Sequence, residues 1–299
     1  MVSWSGLRAE IIAELRAGGV EAAEIEARWI TEHVSGARGV EWFESEGMAV
    51  PTRLQHRVAL LVQRRIAGEP LQYVLGEWAF RDIDVVVDPR VLIPRPETEW
   101  VVEIALQEAR RVGLRCGALA DFGVDPTHHV ADLGTGSGVI AISLERALPD
   151  VTVWASDLSP DALDVARRNA IGNACGRVRT LQGSWFAALP VDLQGSLSLI
   201  VSNPPYISED EFDSLPSEVR GHEPYGALIS GPTGVEAIAV LIEQAPSWLR
   251  PNAAFVCEIG ERQAEAVLEL VANVGRYASA EVLADLAGRP RVLVARAPT

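Results

Sequence analysis

The sequence predicts an α/β fold: a mostly parallel sheet with helices on both faces, preceded by a small helical bundle and joined to it by a β-hairpin linker. Three observations carry this. Beyond about residue 125, short runs rich in Val, Ile or Leu alternate with helical stretches, the rhythm of strands buried on both faces by crossover helices. Over residues 1 to 75, apolar residues recur at helical spacing, which asks for helices that bury one face against each other. Between these regions the apolar period shortens to two and then meets a pair of prolines, the mark of a short hairpin followed by a stiff connector.

In the first region Leu7, Ile11 and Leu15 repeat at i, i+4 and i+8, and Leu54, Val58 and Leu61 repeat in the same way. Gly18-Gly19 and Ser35-Gly36 punctuate the helices, and Pro51 with Thr52 opens the third clear one. The linker follows in "LQYVLGEWAFRDIDVVVDPRVLIPRP". There Ile83, Val85 and Val87 alternate with Asp82, Asp84 and Val86, until Pro94 and Pro96 stop regular structure. "PETEWVVEIALQEARRVG" then starts a helix with Pro96 and Glu97 in its first turn. The expected strands are "HVADLG", "VTVWASD", "RVRTLQG", "LSLIVSN" and "AAFVCEIG", with an antiparallel pair in "EVLADLAGRPRVLVARA" at the end. The expected domains are 1–75 (helical), 76–96 (hairpin linker) and 97–299 (α/β).

Composition narrows the function. The chain has 299 residues, 48% of them apolar, enough to fill a proper core. A formal net charge of -15 opposes a phosphate backbone, so no direct nucleic-acid partner is expected. All 26 basic residues are Arg, which removes mechanisms that need a catalytic lysine. Cys116, Cys175 and Cys257 are too few and too far apart for a disulfide framework or a zinc site and are expected to be buried thiols. No metal is expected: His128-His129 reads as a solvated loop pair just before the first strand. No long uncharged apolar run and no basic-then-apolar leader occur, so a cytoplasmic protein without a membrane partner is expected.

Two stretches carry chemistry. "VADLGTGSGVIAISLE" ends a strand at Asp132 and places Gly134, Gly136 and Gly138 before a helix, where glycine lets the backbone turn sharply and approach a ligand. The next strand ends in Asp157, an acid placed to take two ribose hydroxyls. The turn lacks the lysine of a phosphate-binding loop. Asp-x-Gly-x-Gly-x-Gly resembles motif I of the S-adenosylmethionine-dependent methyltransferases, whose cofactor has no phosphate. The second stretch is "IVSNPPYI", Ile200 to Ile207. In the resembling fold this strand lies beside the first, where the sheet order reverses and ligands bind. Asn203 would offer a side-chain acceptor and Pro204 a main-chain one, aimed by Pro205. Tyr206 would add an aromatic face to a flat amide or base. Such a clamp suits methyl transfer to a poorly nucleophilic nitrogen by positioning and electrostatics. By itself it fits two substrates: adenine N6 in nucleic acid and a glutamine amide in protein.

The rest of the chain separates them. "GEPLQYVLGEWAF", "VLIPRPETEWVVE", "DLGTGSGVIAISL", "NPPYI", "GHEPYGALISGPTGVEAI" and "DLAGRPRV" occur in this order, and together they resemble the release factor glutamine methyltransferases, the HemK/PrmC family. "LIPRPETE", Leu92 to Glu99, is the most discriminating. The resemblance runs from about Gly68 to Arg291 and implies a seven-stranded, Rossmann-like class I methyltransferase domain. It implies transfer from S-adenosyl-L-methionine, leaving S-adenosyl-L-homocysteine, to the side-chain N5 of the glutamine in the Gly-Gly-Gln motif of class 1 peptide chain release factors, and so a role in translation termination. A ribosomal-protein glutamine methyltransferase and a nucleic-acid adenine N6 methyltransferase are the alternatives.

Carried over position by position, Gly134, Thr135, Gly136, Ser137, Gly138, Asp157 and Trp185 would bind the cofactor, with Asn203 reaching it too. Asn203, Pro204, Pro205 and Tyr206 would be the catalytic and substrate-binding residues. Pro94, Arg95, Pro96 and Glu97 would line the cofactor or substrate side from the linker, and the segment holding His222 and Glu223 would close over the glutamine. The helical domain would dock the release factor, with the enzyme a monomer. Two departures from the family pattern, Ser184 before Trp185 and Leu197-Ser198 opening the fourth strand, touch no proposed reacting atom.

Overall fold

The computed structural model describes residues 2–117 and 127–299, and it divides into two compact units. The first holds the chain up to Glu77 together with Pro216–His222, and the second holds Trp78–Leu215 and Glu223–Thr299.

The first unit contains α1 (Trp4–Ala17), α2 (Ala23–Ser35), α3 (Val40–Ser45), α4 (Thr52–Ile66) and α5 (Leu71–Leu75). The expected stripe of Leu7, Ile11 and Leu15 is buried, as are Val58 and Leu61, around a core that includes Trp4, Ile30 and Trp42. Arg8 lies 3.4 Å above the Trp42 ring, and Arg65 bonds Glu26 at 2.6 Å and Glu218 at 2.8 Å. Of these two acids Glu26 is buried, so removing it would leave the Arg65 charge short of a dry partner.

The second unit opens on the hairpin of β1 (Glu77–Phe80) and β2 (Ile83–Val86), followed by helix α6 (Pro96–Arg111) with Pro96 in its first turn. Then come β3 (His128–Leu133), α7 (Val139–Ala147), β4 (Val151–Asp157), α8 (Pro160–Gly172), β5 (Val178–Gln182) and β6 (Leu197–Ser202). After a small pair, β7 (Ile207–Ser208) and β8 (Ile229–Gly231), the chain completes the sheet with β9 (Leu249–Glu258), β10 (Ser279–Ala284) and β11 (Pro290–Arg296). The strand order is β10-β11-β9-β6-β3-β4-β5. β11 runs antiparallel to both β10 and β9, as the Gly-containing turn before it leads one to expect. All six residues of β6 are buried, the signature of a strand covered on both faces.

Two registers position everything that follows. Leu133 pairs with Ser202 across β3 and β6, and Ser202 pairs with Cys257 across β6 and β9. The residues that leave these three strand ends therefore emerge side by side. The order reverses between β3 and β6, where ligand sites form in open α/β sheets. The Ser202 hydroxyl donates to the Leu133 carbonyl at 2.6 Å and ties the two ends together.

One expectation is corrected. His128 and His129 are the first residues of β3 and are half-buried, not a loop pair, and the Trp154 indole N–H donates to His129 Nδ1 at 3.3 Å. The strand starts earlier than its apolar run because parallel pairing with Val151 and Thr152 captures both backbones. Among the described residues no cluster of His, Cys, Asp and Glu could hold a metal, and no helix is long and apolar enough to cross a membrane. Cys175 and Cys257 are buried and Cys116 is half-buried, all as free thiols.

Candidate active site

The turn after β3 is built from backbone. Gly134 and Thr135 both donate their N–H groups to the Ser156 carbonyl, at 2.8 and 2.9 Å. Gly134 adopts φ +74°, a region that costs an L-residue about 1–2 kcal/mol. A Cβ there would also lie 3.0 Å from the Trp185 ring, so the indole packs over the bare backbone. At Gly138, φ +87°, a Cβ would meet the Ala166 backbone at 3.3 Å, and the missing side chain lets α7 start close against α8. Beneath the turn Asp132 is fully buried and accepts from the Thr135 hydroxyl (2.6 Å) and the Ala141 N–H (3.1 Å), while its other oxygen has no partner. Burial pushes its pKa up to about 7.

Asp157, the last residue of β4, accepts the Gly136 N–H on one carboxylate oxygen and the Ser159 N–H on the other, both at 2.9 Å. The carboxylate is locked in orientation yet keeps free lone pairs on both oxygens. Ser159 also caps α8, so the loop that aims the acid is anchored by a helix start.

The turn after β6 is held by side chains instead. Asn203 donates its Nδ2 to the Thr98 hydroxyl oxygen at 3.0 Å. Thr98 donates in turn to Glu258 at 2.7 Å, and the Tyr206 hydroxyl donates to the other oxygen of Glu258 at 3.2 Å. Glu258 is buried, and that burial raises its pKa to about 7 against the opposing pull of the Thr98 bond and Arg291. Burial likewise pushes the Tyr206 hydroxyl up. Gln263 closes the far side by donating to the Tyr206 and Gly234 carbonyls at 2.8 and 3.0 Å, with its own oxygen held by the Gly260 N–H.

The two turns open into one cavity of about 470 Å³, within the range of small-molecule sites. Its wall includes Gly134, Thr135, Gly136, Ser137, Asp157, Trp185, Asn203 and Pro205, eight of the eleven residues expected in the glycine turn, at the β4 tip, at Trp185 and in the Asn203–Tyr206 turn. Gly138, Pro204 and Tyr206 stand behind the wall. The Tyr206 ring packs on the core and its hydroxyl is spent on Glu258, so the structure uses it to hold the turn rather than as an exposed aromatic face. From the linker Pro94 and Arg95 line the cavity. Pro96 and Glu97 do not, because Pro96 begins α6 and Glu97 pairs with Arg289. Glu223 ties the linker down, accepting from Arg95 and from the Ile93 N–H.

Sequence reasoning missed Thr98, Glu258 and Gln263. Thr98 sits inside "LIPRPETE", but nothing in that string says that its hydroxyl meets a strand end 160 positions away. Glu258 ends an apolar run, and a carboxylate at that point was the one signal available.

Comparison with known proteins identifies the family. Residues 7–76 match the family model of the PrmC N-terminal domain and residues 119–215 that of the methyltransferase small domain. The release factor glutamine methyltransferase of Gloeobacter violaceus is 37% identical over 290 residues, covering 97% of this chain and 95% of that protein. That of Moorella thermoacetica is 39% identical over 295 residues, covering 96% and 95%. The chain belongs to the release factor glutamine methyltransferase family. It is therefore a methyltransferase, and its sheet is the expected seven-stranded class I type. A methyltransferase structure from Pyrococcus furiosus, 18% identical with a TM-score of 0.51, covers 83% of the chain and all of itself and shares this fold.

Proposed function

We propose that this chain transfers a methyl group from S-adenosyl-L-methionine to the side-chain N5 of the glutamine in the Gly-Gly-Gln motif of class 1 release factors. The observation that carries the reading is the single cavity whose wall is made at once by the glycine turn, by Asp157 and by Asn203. The residues fit the cofactor. Asp157 has lone pairs left for two ribose hydroxyls, Leu158, Ile140 and Trp185 offer apolar wall for the base, and the glycine turn presents backbone where no phosphate has to be neutralised.

Bound there, the cofactor supplies a methyl group on a sulfonium, electrophilic without further activation. The chain supplies position. Asn203 Oδ1, on the cavity wall, accepts one N–H of the glutamine amide and so aims the nitrogen, while Pro205 keeps the turn stiff and the buried Pro204 backs it. No strong base is required, because the amide proton grows acidic as the nitrogen is alkylated. Release factor docking falls to residues 1–75, with 76–96 as linker and 97–299 as the catalytic part. The match of residues 7–76 to the family's N-terminal domain supports that division.

The test is incubation with methyl-labelled cofactor and a purified class 1 release factor, followed by peptide mass spectrometry. One methyl on the Gly-Gly-Gln glutamine is the expected result. An unlabelled factor under conditions where calorimetry shows the cofactor bound would overturn the proposal, and label on a ribosomal protein, DNA or tRNA offered in parallel would redirect it.

A further inference from the structure

We propose that Thr98 and Glu258 are positioning residues for methyl transfer, which together decide which end of the Asn203 side chain faces the substrate amide. The inference rests on the function proposed above.

The two ends of an asparagine amide differ by little in shape, yet only the oxygen can accept from a substrate N–H. Some neighbour must choose between them. Thr98 has a single hydroxyl proton, and it goes to Glu258 Oε2 at 2.7 Å. What Thr98 shows to Asn203 is therefore lone pairs alone. Asn203 must answer with its NH2 group, as the 3.0 Å bond records, and Oδ1 is left to the cavity that Asn203 lines. The Tyr206 hydroxyl occupies the second carboxylate oxygen at 3.2 Å. One buried carboxylate thus receives a donor at each end of the Asn203–Tyr206 turn.

The polarity of this relay depends on Glu258 being ionised. If it were protonated it would become a donor, and given to Thr98 that proton would free the Thr98 hydroxyl to donate toward Asn203. The amide would then turn over and present NH2 to the substrate, repelling the N–H it should hold. The other groups facing Glu258 are the Arg291 guanidinium from β11, Glu97 from α6 and the Tyr206 hydroxyl.

The experiment compares Thr98→Val, Thr98→Ser and Glu258→Gln with the parent enzyme, using methyl-labelled cofactor and a class 1 release factor at saturation. For Thr98→Val, kcat should fall about 30- to 300-fold while the cofactor Kd stays within about threefold; Thr98→Ser should recover to within about fivefold of the parent. In the parent kcat should decline as the pH drops below about 7, following the raised Glu258 pKa. Glu258→Gln, which can still accept from Thr98 through its carbonyl oxygen, should lose that decline and keep kcat within roughly tenfold. An unchanged kcat in Thr98→Val, an equal loss in Thr98→Ser, or the same acid decline in Glu258→Gln would each overturn the proposal. If Thr98→Val does not fold, the Thr98→Ser rate and the pH profile of Glu258→Gln still decide it. A parent that transfers no methyl to the factor sinks the function and this inference together, whereas an active parent with indifferent variants sinks only the inference.

Discussion

The turns after β3 and β6 stand side by side at the carboxyl ends of two central strands, and they are built in opposite ways. The glycine turn is a backbone device: its shape comes from positive φ at Gly134 and Gly138, its bonds from N–H groups to Ser156 and Asp157. The Asn203–Tyr206 turn is a side-chain device whose bonds reach Thr98, Glu258 and Gln263 on three distant elements. A pocket for a whole cofactor can be shaped by bare backbone, because many weak contacts share the work. Aiming one nitrogen at one carbon cannot, since it needs a few groups each fixed in direction.

The contrast can be broken most sharply at Asn203. Asn203→Ala should lose on the order of hundreds-fold in kcat with cofactor affinity within a few-fold, measured by single-turnover transfer and by calorimetry. Equal losses in both would show that Asn203 shapes the cofactor pocket and that the two turns are one device. Gly134→Ala should do the reverse: cofactor Kd rising about tenfold and stability falling about 1–2 kcal/mol, from the forced φ and the collision with Trp185.

A third test sets the buried acids of the two turns against each other. Asp132 and Glu258 have pKa values raised to about 7 from ordinary values of 3.8 and 4.5. Between those limits the native state holds more protons than the unfolded one, so stability falls as the pH rises from about 4.5 to 7. Urea midpoints at pH 5 and 7.5 should show this, and Asp132→Asn and Glu258→Gln should each flatten it. Acids with lowered pKa values, such as Asp82 and Glu108, lose their contribution only below that window. The smallest effect on transfer is expected for Gln263→Ala, about 1–2 kcal/mol of stability and a few-fold in kcat, from the loss of its bonds to the Tyr206 and Gly234 carbonyls and the Gly260 N–H.

What was legible in the chain follows the same division. The motif from Asp132 to Gly138 is contiguous, so its turn, its helix start and its place after a strand could all be read in order. Asp157 needed only the next strand end. Asn203 could be placed at the strand end, but not its partners, since Thr98 lies 105 positions upstream and Glu258 a further strand beyond. Tyr206 reads as an aromatic wall in the sequence because its type suggests a face for stacking, and its hydroxyl bond to Glu258 is a long-range fact. His128 and His129 read as loop because they are polar, and only pairing with β4 makes them strand.

Sequence alone determined the strand and helix rhythm, the glycine turn, the acid at the β4 tip, the Asn-Pro-Pro-Tyr turn and the absence of lysine chemistry, because each depends on residue type and spacing within one element. Tertiary structure decided which of those residues reach the cavity and what directs them. The reason is register: with Leu133 opposite Ser202 and Ser202 opposite Cys257, Asn203 is delivered beside Glu258, and that buried carboxylate, through its two donors, holds the Asn203 side chain by way of Thr98 and the Tyr206 hydroxyl directly.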